Sequence, residues 1–170
     1  PHEFSKDIKS KIDEFLIKII NSYKINTAFM HVEFFVSNTQ LTLGEFAIRP
    51  PGGYLMNLIK LSYNFSPWEV YFKLFIDDNI SIPQKAKTYS CAIILHPGAG
   101  QVDNIQGVDY AKKLSSFHSM KLKKSSGDKV SYREGSGQDI GHVILTNKNK
   151  EALISDIKSL EENLKIYLVT

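Results

Sequence analysis

Two glutamates interrupt the apolar runs near the start of the chain. Glu33 and Glu45 each lie in such a run, and the turn-like residues 37–40 separate the two runs. If the runs pair as an antiparallel hairpin centred near residue 39, Glu33 lies opposite Glu45. Directly opposed side chains have Cβ atoms roughly 5 Å apart, and like charges at that distance repel each other. The pattern predicts a cation or a shared proton between the carboxylates, and a divalent metal ion is the first interpretation.

An arginine shares this face of the predicted hairpin. Side chains alternate along a strand, so Arg49 points to the same side as Glu45, while the apolar Phe46 points to the other side. Carboxylate oxygens suit Mg²⁺ or Mn²⁺, which substrate phosphates commonly complete, and a guanidinium fork matches phosphate or carboxylate. The combination predicts a site that handles phosphoryl groups.

The same spacing also fits an ordinary half-exposed hairpin. In that alternative, one of the two glutamates lies on a solvated face and pairs with a lysine or with Arg49. His31 lies one strand step from Glu33 and is interpreted as a packing residue or a neighbour of the site, not as a catalytic group. The register makes two further pairs, namely His31 with Ala47 and Phe35 with Leu43.

The composition of the chain limits the classes of protein to which it can belong. The chain has 170 residues, of which 42% are hydrophobic, enough for one domain or one and a half. The formal net charge is only +3 and the basic residues are scattered, which gives no case for nucleic acid as a partner. No apolar stretch reaches about 18 residues, so we expect no membrane span. The single cysteine, Cys91, has no internal disulfide partner, and a reducing cytoplasm is the expected location.

The pattern of apolar residues predicts an α+β protein with a change of texture near residue 80. We expect a first domain over 1–82 and a β-rich module over 83–170. Residues 97–100 resemble a phosphate loop, but no strand-to-helix transition follows, and we predict a hairpin turn there. The predicted helices are 5–23, 54–61, 66–76 and 150–163, and the predicted strands are 27–36, 41–49, 88–95, 101–106, 116–122, 129–132, 141–146 and 165–169.

An aromatic cluster falls at helical spacings around the third predicted element. A core or interdomain face explains such a cluster better than a ligand platform does. Its members are Tyr63, Phe65, Trp68, Tyr71, Phe72 and Phe75.

The run His31-Val32-Glu33-Phe34 and the run that begins at Glu45 and ends at Pro51-Gly52-Gly53 together resemble the paired metal-binding strands of the ATP-grasp superfamily of carboxylate–amine ligases. The two acids, the arginine four residues after the second acid and the Pro-Gly-Gly exit stand in the family's order. Segments 102–107, 123–130 and 140–144 are most similar to the C-terminal module of the L-amino acid ligase branch. The resemblance covers about residues 10–170. It implies the C-terminal half of an ATP-grasp domain, an antiparallel hairpin with helices, plus a small β-rich lid-side module.

The resemblance also implies a two-step reaction. ATP phosphorylates a small-molecule carboxylate, and an amine then attacks the acylphosphate to give an amide, ADP and phosphate. Glu33 and Glu45 are implied as ligands that hold Mg²⁺ or Mn²⁺ against the bound ATP, and Arg49 as the catalytic residue that steadies the transferring phosphoryl group. Amino acids are the substrates implied by the branch.

Two departures from the family pattern qualify this expectation. Many members carry an Asn two residues after the second Glu, where this chain has Ala47. The upstream half of the enzyme, with its glycine-rich loop and phosphate-binding lysines, does not precede residue 10, so we expect a C-terminal fragment that is inactive alone. A biotin-carboxylase-like or purine-biosynthetic enzyme, or a non-catalytic nucleotide-binding module, remain alternatives. The sequence leaves homo-oligomerisation open.

Overall fold

The structure is a computed structural model that describes residues 4–37, 40–76, 80–135 and 137–169. The middle of the predicted turn at 37–40 therefore lies outside the described residues. The α+β fold class predicted from the sequence is confirmed, with helices and antiparallel sheets among the described residues. The described elements are α1 (Lys6–Ser22), β1 (His31–Ser37), β2 (Gln40–Ala47), α2 (Leu55–Tyr63), α3 (Pro67–Lys73), β3 (Tyr89–Leu95), β4 (Gly100–Gln106), α4 (Val108–Lys112), β5 (Phe117–Leu122), β6 (Lys129–Val130), β7 (Gly141–Asn147), α5 (Lys150–Asn163) and β8 (Lys165–Val169).

The chain folds into two compact units. The first comprises the residues up to Met56 together with Ser66–Ile82, and the second comprises Asn57–Phe65 together with Pro83–Thr170. The domain division drawn from the sequence, 1–82 and 83–170, stays a prediction. The two units differ from it because most of α2 belongs to the second unit.

In the first unit, α1 covers one face of the β1–β2 hairpin. The helix begins after Ser5, whose hydroxyl accepts a hydrogen bond from the Ile8 N–H at 3.3 Å, as an N-cap does. Aromatic side chains of α1 and of its C-cap residue contact one strand residue each, namely Phe34 of β1 and Phe46 of β2. The ring centroids of Phe15 and Phe34 are 5.5 Å apart, and those of Tyr23 and Phe46 are also 5.5 Å apart. The odd-numbered face of β1 is therefore turned away from α1.

The register of the hairpin is as predicted at one end and shifted at the other. His31 pairs with Ala47, and Glu33 pairs with Glu45. The register shifts between Glu33 and Phe34, so Leu43 pairs with Phe34. The predicted pairing of Phe35 with Leu43 is therefore wrong. The cause is an extra residue in β2 at this point, a β-bulge, which a constant register cannot represent.

The second unit contains two antiparallel sheets of three strands among the described residues. Their strand orders are β3-β7-β5 and β6-β4-β8. Helix α5 contributes Leu153 and Leu160 to the same core as Val102 of β4 and Leu145 of β7. The core of this unit is formed by Leu95, Val102, Ala111, Val130, Ile140, Val143, Leu145, Leu153 and Leu160.

Hydroxyl groups attach α2 to the β3–β7 pair of the second unit. The buried Ser62 donates from Oγ to Ser90 Oγ at 3.1 Å, and Ser90 Oγ lies 3.0 Å from Thr146 Oγ1. Thr88 Oγ1 donates to the Leu61 carbonyl at 3.0 Å. Hydrogen bonds between buried polar groups are costly to break. They give the physical reason why residues 57–65 belong to the second unit.

Several local expectations differ from the structure. The strand predicted over 27–36 begins only at His31, and the strand predicted over 129–132 ends at Val130. Helix α4 was not predicted, because its five residues are too few to show a helical period. The predicted hairpin turn at 97–100 is wrong, since β3 and β4 lie in different sheets and the segment connects them. Helix α3 ends at Lys73, before the predicted end at 76. Among the described residues, none of the helices is long and apolar enough to cross a bilayer.

We predict that Gly107→Ala destabilises the second unit strongly. Gly107 has φ +81°, and an added Cβ would overlap the Asn163 carbonyl group at the end of α5. Backbone strain and overlap together should lower the free energy of unfolding by at least about 2 kcal/mol. Gly127→Ala is the matched control, because Gly127 has φ +90° but nothing within 4 Å of an added Cβ. Urea unfolding followed by circular dichroism measures the free energy of unfolding of both variants. Equal losses in the two variants would contradict the predicted overlap at position 107.

We also predict that Asp156→Asn weakens the pH dependence of stability in acid. Burial raises the pKa of Asp156, but hydrogen bonds from the Ser116 and Ser115 side chains and the Ser116 N–H outweigh it, so the pKa lies below its ordinary value of 3.8. Both Ser115 Oγ and Ser116 N donate to Asp156 Oδ2 at 2.8 Å. A lowered folded pKa adds stability above about pH 4 that is lost as pH falls through the folded pKa.

The asparagine keeps the acceptor oxygen and loses the charge. We expect a loss of about 1 kcal/mol at pH 7 and a flatter curve of unfolding free energy against pH below pH 4. Urea titrations at a series of pH values measure both quantities. An unchanged curve would show that this carboxylate does not contribute to acid denaturation.

Candidate functional site

The candidate site is the face of the β1–β2 hairpin that points away from α1. Glu33 and Glu45 are directly paired residues of neighbouring strands on this face. Their side chains are 59% and 50% exposed. The structure thus brings the two predicted acids together in contact with solvent. Their assignment as metal ligands stays a prediction.

Arg49 joins the acids although it lies beyond the end of β2. Its Nη2 is 3.2 Å from Glu45 Oε1, and its Nη1 donates to the Pro50 carbonyl at 3.1 Å. This ion pair is the one that the half-exposed-hairpin alternative describes. A guanidinium has five N–H donors, so two contacts leave donors for a further anion. The geometry therefore accommodates both the predicted phosphoryl role and a simple surface pair.

His31 lies beside the acids and is largely buried. Its side chain is 17% exposed, and Nε2 is 3.5 Å from Glu33 Oε1, which is longer than a well-formed hydrogen bond. Nδ1 is buried and has no hydrogen-bond partner in the described part of the chain. On that side, the His31 ring restricts the space in which the Glu33 carboxylate can move.

Sequence reasoning missed the role of Gly44 in this face. An added Cβ there would lie 3.0 Å from Phe35 Cε2 and 3.2 Å from the Glu33 carbonyl oxygen, so the Phe35 ring approaches the backbone of β2 where it has no side chain. The bulge next to Glu45 occurs at this glycine. A lone glycine within a strand pattern is the signal that could have indicated it.

The donor set fits a metal ion that is bound together with phosphates. Among the described residues, no group of three or more His, Cys, Asp and Glu side chains is arranged to hold a metal. Two paired carboxylates supply hard oxygen donors, and Mg²⁺ commonly uses one or two carboxylates, waters and substrate phosphates. Glu33 and Glu45 therefore match that kind of site and do not match a closed protein cage.

Comparison with known proteins gives the class of fold. Residues 92–169 match the family model of the L-amino acid ligase C-terminal domain 2. The structure of L-amino acid ligase from Bacillus licheniformis matches with a TM-score of 0.83 at 13% sequence identity, and the match covers 100% of this chain and 43% of that chain. No match was found among curated protein sequences.

Two other solved structures are also similar. Phosphoribosylglycinamide synthetase from Anaerococcus prevotii has a TM-score of 0.75 at 18% identity and is matched over 99% of this chain and 44% of that chain. N5-carboxyaminoimidazole ribonucleotide synthetase from Thermotoga maritima has a TM-score of 0.69 at 13% identity, over 99% and 45% of the two chains. The chain thus spans less than half the length of these relatives. It has the fold of the C-terminal part of an ATP-grasp ligase, as the sequence resemblance implied.

We predict that removing one acid does not destabilise the metal-free hairpin. Glu33→Gln should leave the free energy of unfolding unchanged or raise it by up to about 1 kcal/mol, because one of two opposed charges is lost. Glu45→Gln should gain less, since it also loses the ion pair with Arg49. The fluorescence of Trp68, the only tryptophan of the chain, follows the first unit in urea.

Millimolar Mn²⁺ should then stabilise the unsubstituted protein more than either variant. Glu14→Gln is the control, because Glu14 is an exposed acid on α1. A stabilisation by Mn²⁺ that is the same in all four proteins would contradict the metal assignment.

Proposed function

We propose that the chain is the C-terminal part of an ATP-dependent carboxylate–amine ligase that uses amino acid substrates. The observation that carries the proposal is the direct pairing of Glu33 with Glu45 on an open face beside Arg49, within an ATP-grasp fold. The match of residues 92–169 to the L-amino acid ligase domain supports amino acids as substrates.

In the proposed reaction, a carboxylate oxygen of the substrate attacks the γ-phosphorus of ATP, and the bond to the ADP oxygen breaks. The amine then attacks the acylphosphate carbon, inorganic phosphate leaves, and the amine proton passes to solvent. A divalent ion held by Glu33 and Glu45 would neutralise phosphate charge when bound. The free N–H groups of Arg49 would bind the phosphoryl oxygens and keep them oriented.

A purine-biosynthetic ligase is the second candidate function. It is supported by the two similar structures, both of which are named as synthetases of ribonucleotide intermediates. It would use the same carboxylate pair and differ in the substrate that accepts the phosphoryl group. The choice between the two candidates therefore depends on a test of substrates.

An apolar trough in the first unit supports the proposal that another part of the enzyme covers the hairpin. Its volume is about 510 Å³, and it lies between α1 and the even-numbered face of β1. Among the described residues, β1 has a strand neighbour only on the β2 side. An apolar strand of an upstream half would fit the open edge and fill the trough. The lining residues are Phe4, Ile12, Leu16, Met30, Val32, Phe34 and Val36.

A cytoplasmic location belongs to the same proposal. Cys91 is the only cysteine of the chain, and burial raises the pKa of its thiol, partly offset by a hydrogen bond with the Leu145 backbone. A thiol that stays protonated at neutral pH is poorly reactive and suits a reducing compartment.

The test of the proposal is amino-acid-dependent release of ADP by the protein with its native upstream region restored. Single and paired amino acids are supplied with and without Mg²⁺. We expect Mg²⁺-dependent ADP release with particular pairs, and we expect Glu33→Gln and Glu45→Gln each to lower it at least about 100-fold, because each removes a ligand near the transferring charge.

Glu14→Gln again serves as the control that should keep full activity. Release of ADP with a ribonucleotide amine or carboxylate, and not with amino acids, would support the second candidate. Unchanged turnover in both hairpin variants would contradict the metal site. If none of the substrates leads to ADP release although the protein binds ATP, the result would favour the non-catalytic module.

A further inference from the structure

Four rings of the aromatic cluster noted in the sequence, those of Trp68, Tyr71, Phe72 and Phe75, form an ordered group in the first unit. Tyr71 of α3 stands at its centre, and neighbouring rings meet it at steep angles. Such edge-to-face contacts fix the orientation of the rings. The centroid distances from Tyr71 are 6.0 Å to Phe29, 6.2 Å to Trp68, 5.6 Å to Phe72 and 5.4 Å to Phe75.

Three exposed residues of α3 and the turn after it, together with Ile76, form a stripe of exposed apolar side chains. The spacing of its four residues is i, i+4, i+7 and i+8, the spacing by which a helix normally presents an apolar face to a core. Backbone hydrogen bonds continue the helical turns past the end of α3. Phe75 N donates to Phe72 O at 3.2 Å, and Ile76 N donates to Lys73 O at 3.0 Å. We call the four residues the α3 stripe: Trp68 is 46% exposed, Phe72 65%, Phe75 72% and Ile76 84%.

The exposed area of the α3 stripe approaches what a weak specific interface needs. With about 200 Å² for a large side chain, the exposed parts amount to roughly 500 Å² per copy. That is at the upper end of the apolar patches found on monomers, and such patches often mark interaction sites. Two copies that cover each other would bury about 1,000 Å², the lower limit for a specific interface.

Charges beside the stripe favour a second copy as the occupant. Glu69 and Lys73 are exposed and lie one helical turn apart along the same flank of the stripe. When two identical helices pack antiparallel about a twofold axis, each flank meets the same flank of the other helix. When the twofold axis passes near Tyr71, Glu69 lies opposite the partner's Lys73, and Lys73 opposite the partner's Glu69. A parallel arrangement does not give this pairing.

We propose that the α3 stripe is a homodimer interface in which two copies of this chain pack their α3 helices antiparallel about a twofold axis. The apolar side chains supply the buried area, and the two Glu69–Lys73 pairs between copies set the direction of packing. An interface of this size is expected to have a dissociation constant in the micromolar range. The inference is independent of the ligase activity proposed above.

Sedimentation equilibrium of the 170-residue protein from about 1 to about 100 µM tests the proposal, since that range spans a micromolar dissociation constant. We expect a monomer–dimer equilibrium, with a blue shift of Trp68 fluorescence as the concentration rises. Phe72→Ser should raise the dissociation constant at least about 10-fold. Lys158→Glu, an exposed charge reversal on α5, is the control and should leave it unchanged.

Charge exchange tests the direction of packing. Glu69→Lys and Lys73→Glu should each weaken the homodimer, because like charges then face each other. An equimolar mixture of the two variants should dimerise again, since every facing pair is then opposite in charge. Pairs within one helix remain broken in the mixture, so recovery reports contacts between copies only.

A monomer at every concentration would overturn the proposal and assign the stripe to a contact within a longer protein. A dimer that Phe72→Ser does not weaken would overturn it as well. A dimer that is weakened by Phe72→Ser but not recovered in the mixture would overturn the antiparallel arrangement.

Discussion

Apolar packing on one face of the β1–β2 hairpin is the constraint on which the arrangement of Glu33 and Glu45 depends. Side chains on a strand alternate with a period of two, so a slip of either strand by one residue would turn its acid toward α1 and bury it. Burying unpaired carboxylates costs far more than the repulsion between them in solvent. The contacts of Phe34 and Phe46 with α1 oppose that slip. Apolar packing on one face of the hairpin therefore determines the charge arrangement on the other.

The bulge at Gly44 changes the register of the strands beyond the pair of acids. Near Glu33 the paired residue numbers sum to 78, and beyond the bulge they sum to 77, so Ser37 pairs with Gln40. The same glycine leaves space for the Phe35 ring over β2. One residue without a side chain thus serves both the register and the surface beside the acids.

The sequence was informative wherever the determining interactions are local. Helix α1 follows from its apolar spacing and the Ser5 cap, and the pairing of Glu33 with Glu45 follows from strand alternation around a turn. Long-range contacts were not accessible in this way. The hydrogen bond between Ser62 and Ser90 joins residues 28 apart in the chain, and nothing in the periodicity of either segment indicates it. The position of Arg49 was predicted by alternation, yet the contact with Glu45 forms beyond the strand end.

The residue opposite His31 affects how the proposed ligase would hold its metal ion. Position 47 is Ala, so the strand partner of His31 contributes no oxygen donor, and the hairpin supplies two carboxylates. A Mg²⁺ ion held by these two carboxylates would take its remaining donors from water and phosphate. Affinity for the ion then rises when phosphate oxygens are present, and by linkage the ion raises affinity for the nucleotide by the same factor. In the proposed function, the ion and ATP would therefore bind as a pair, and the remaining N–H groups of Arg49 would contact the phosphates in the same binding step.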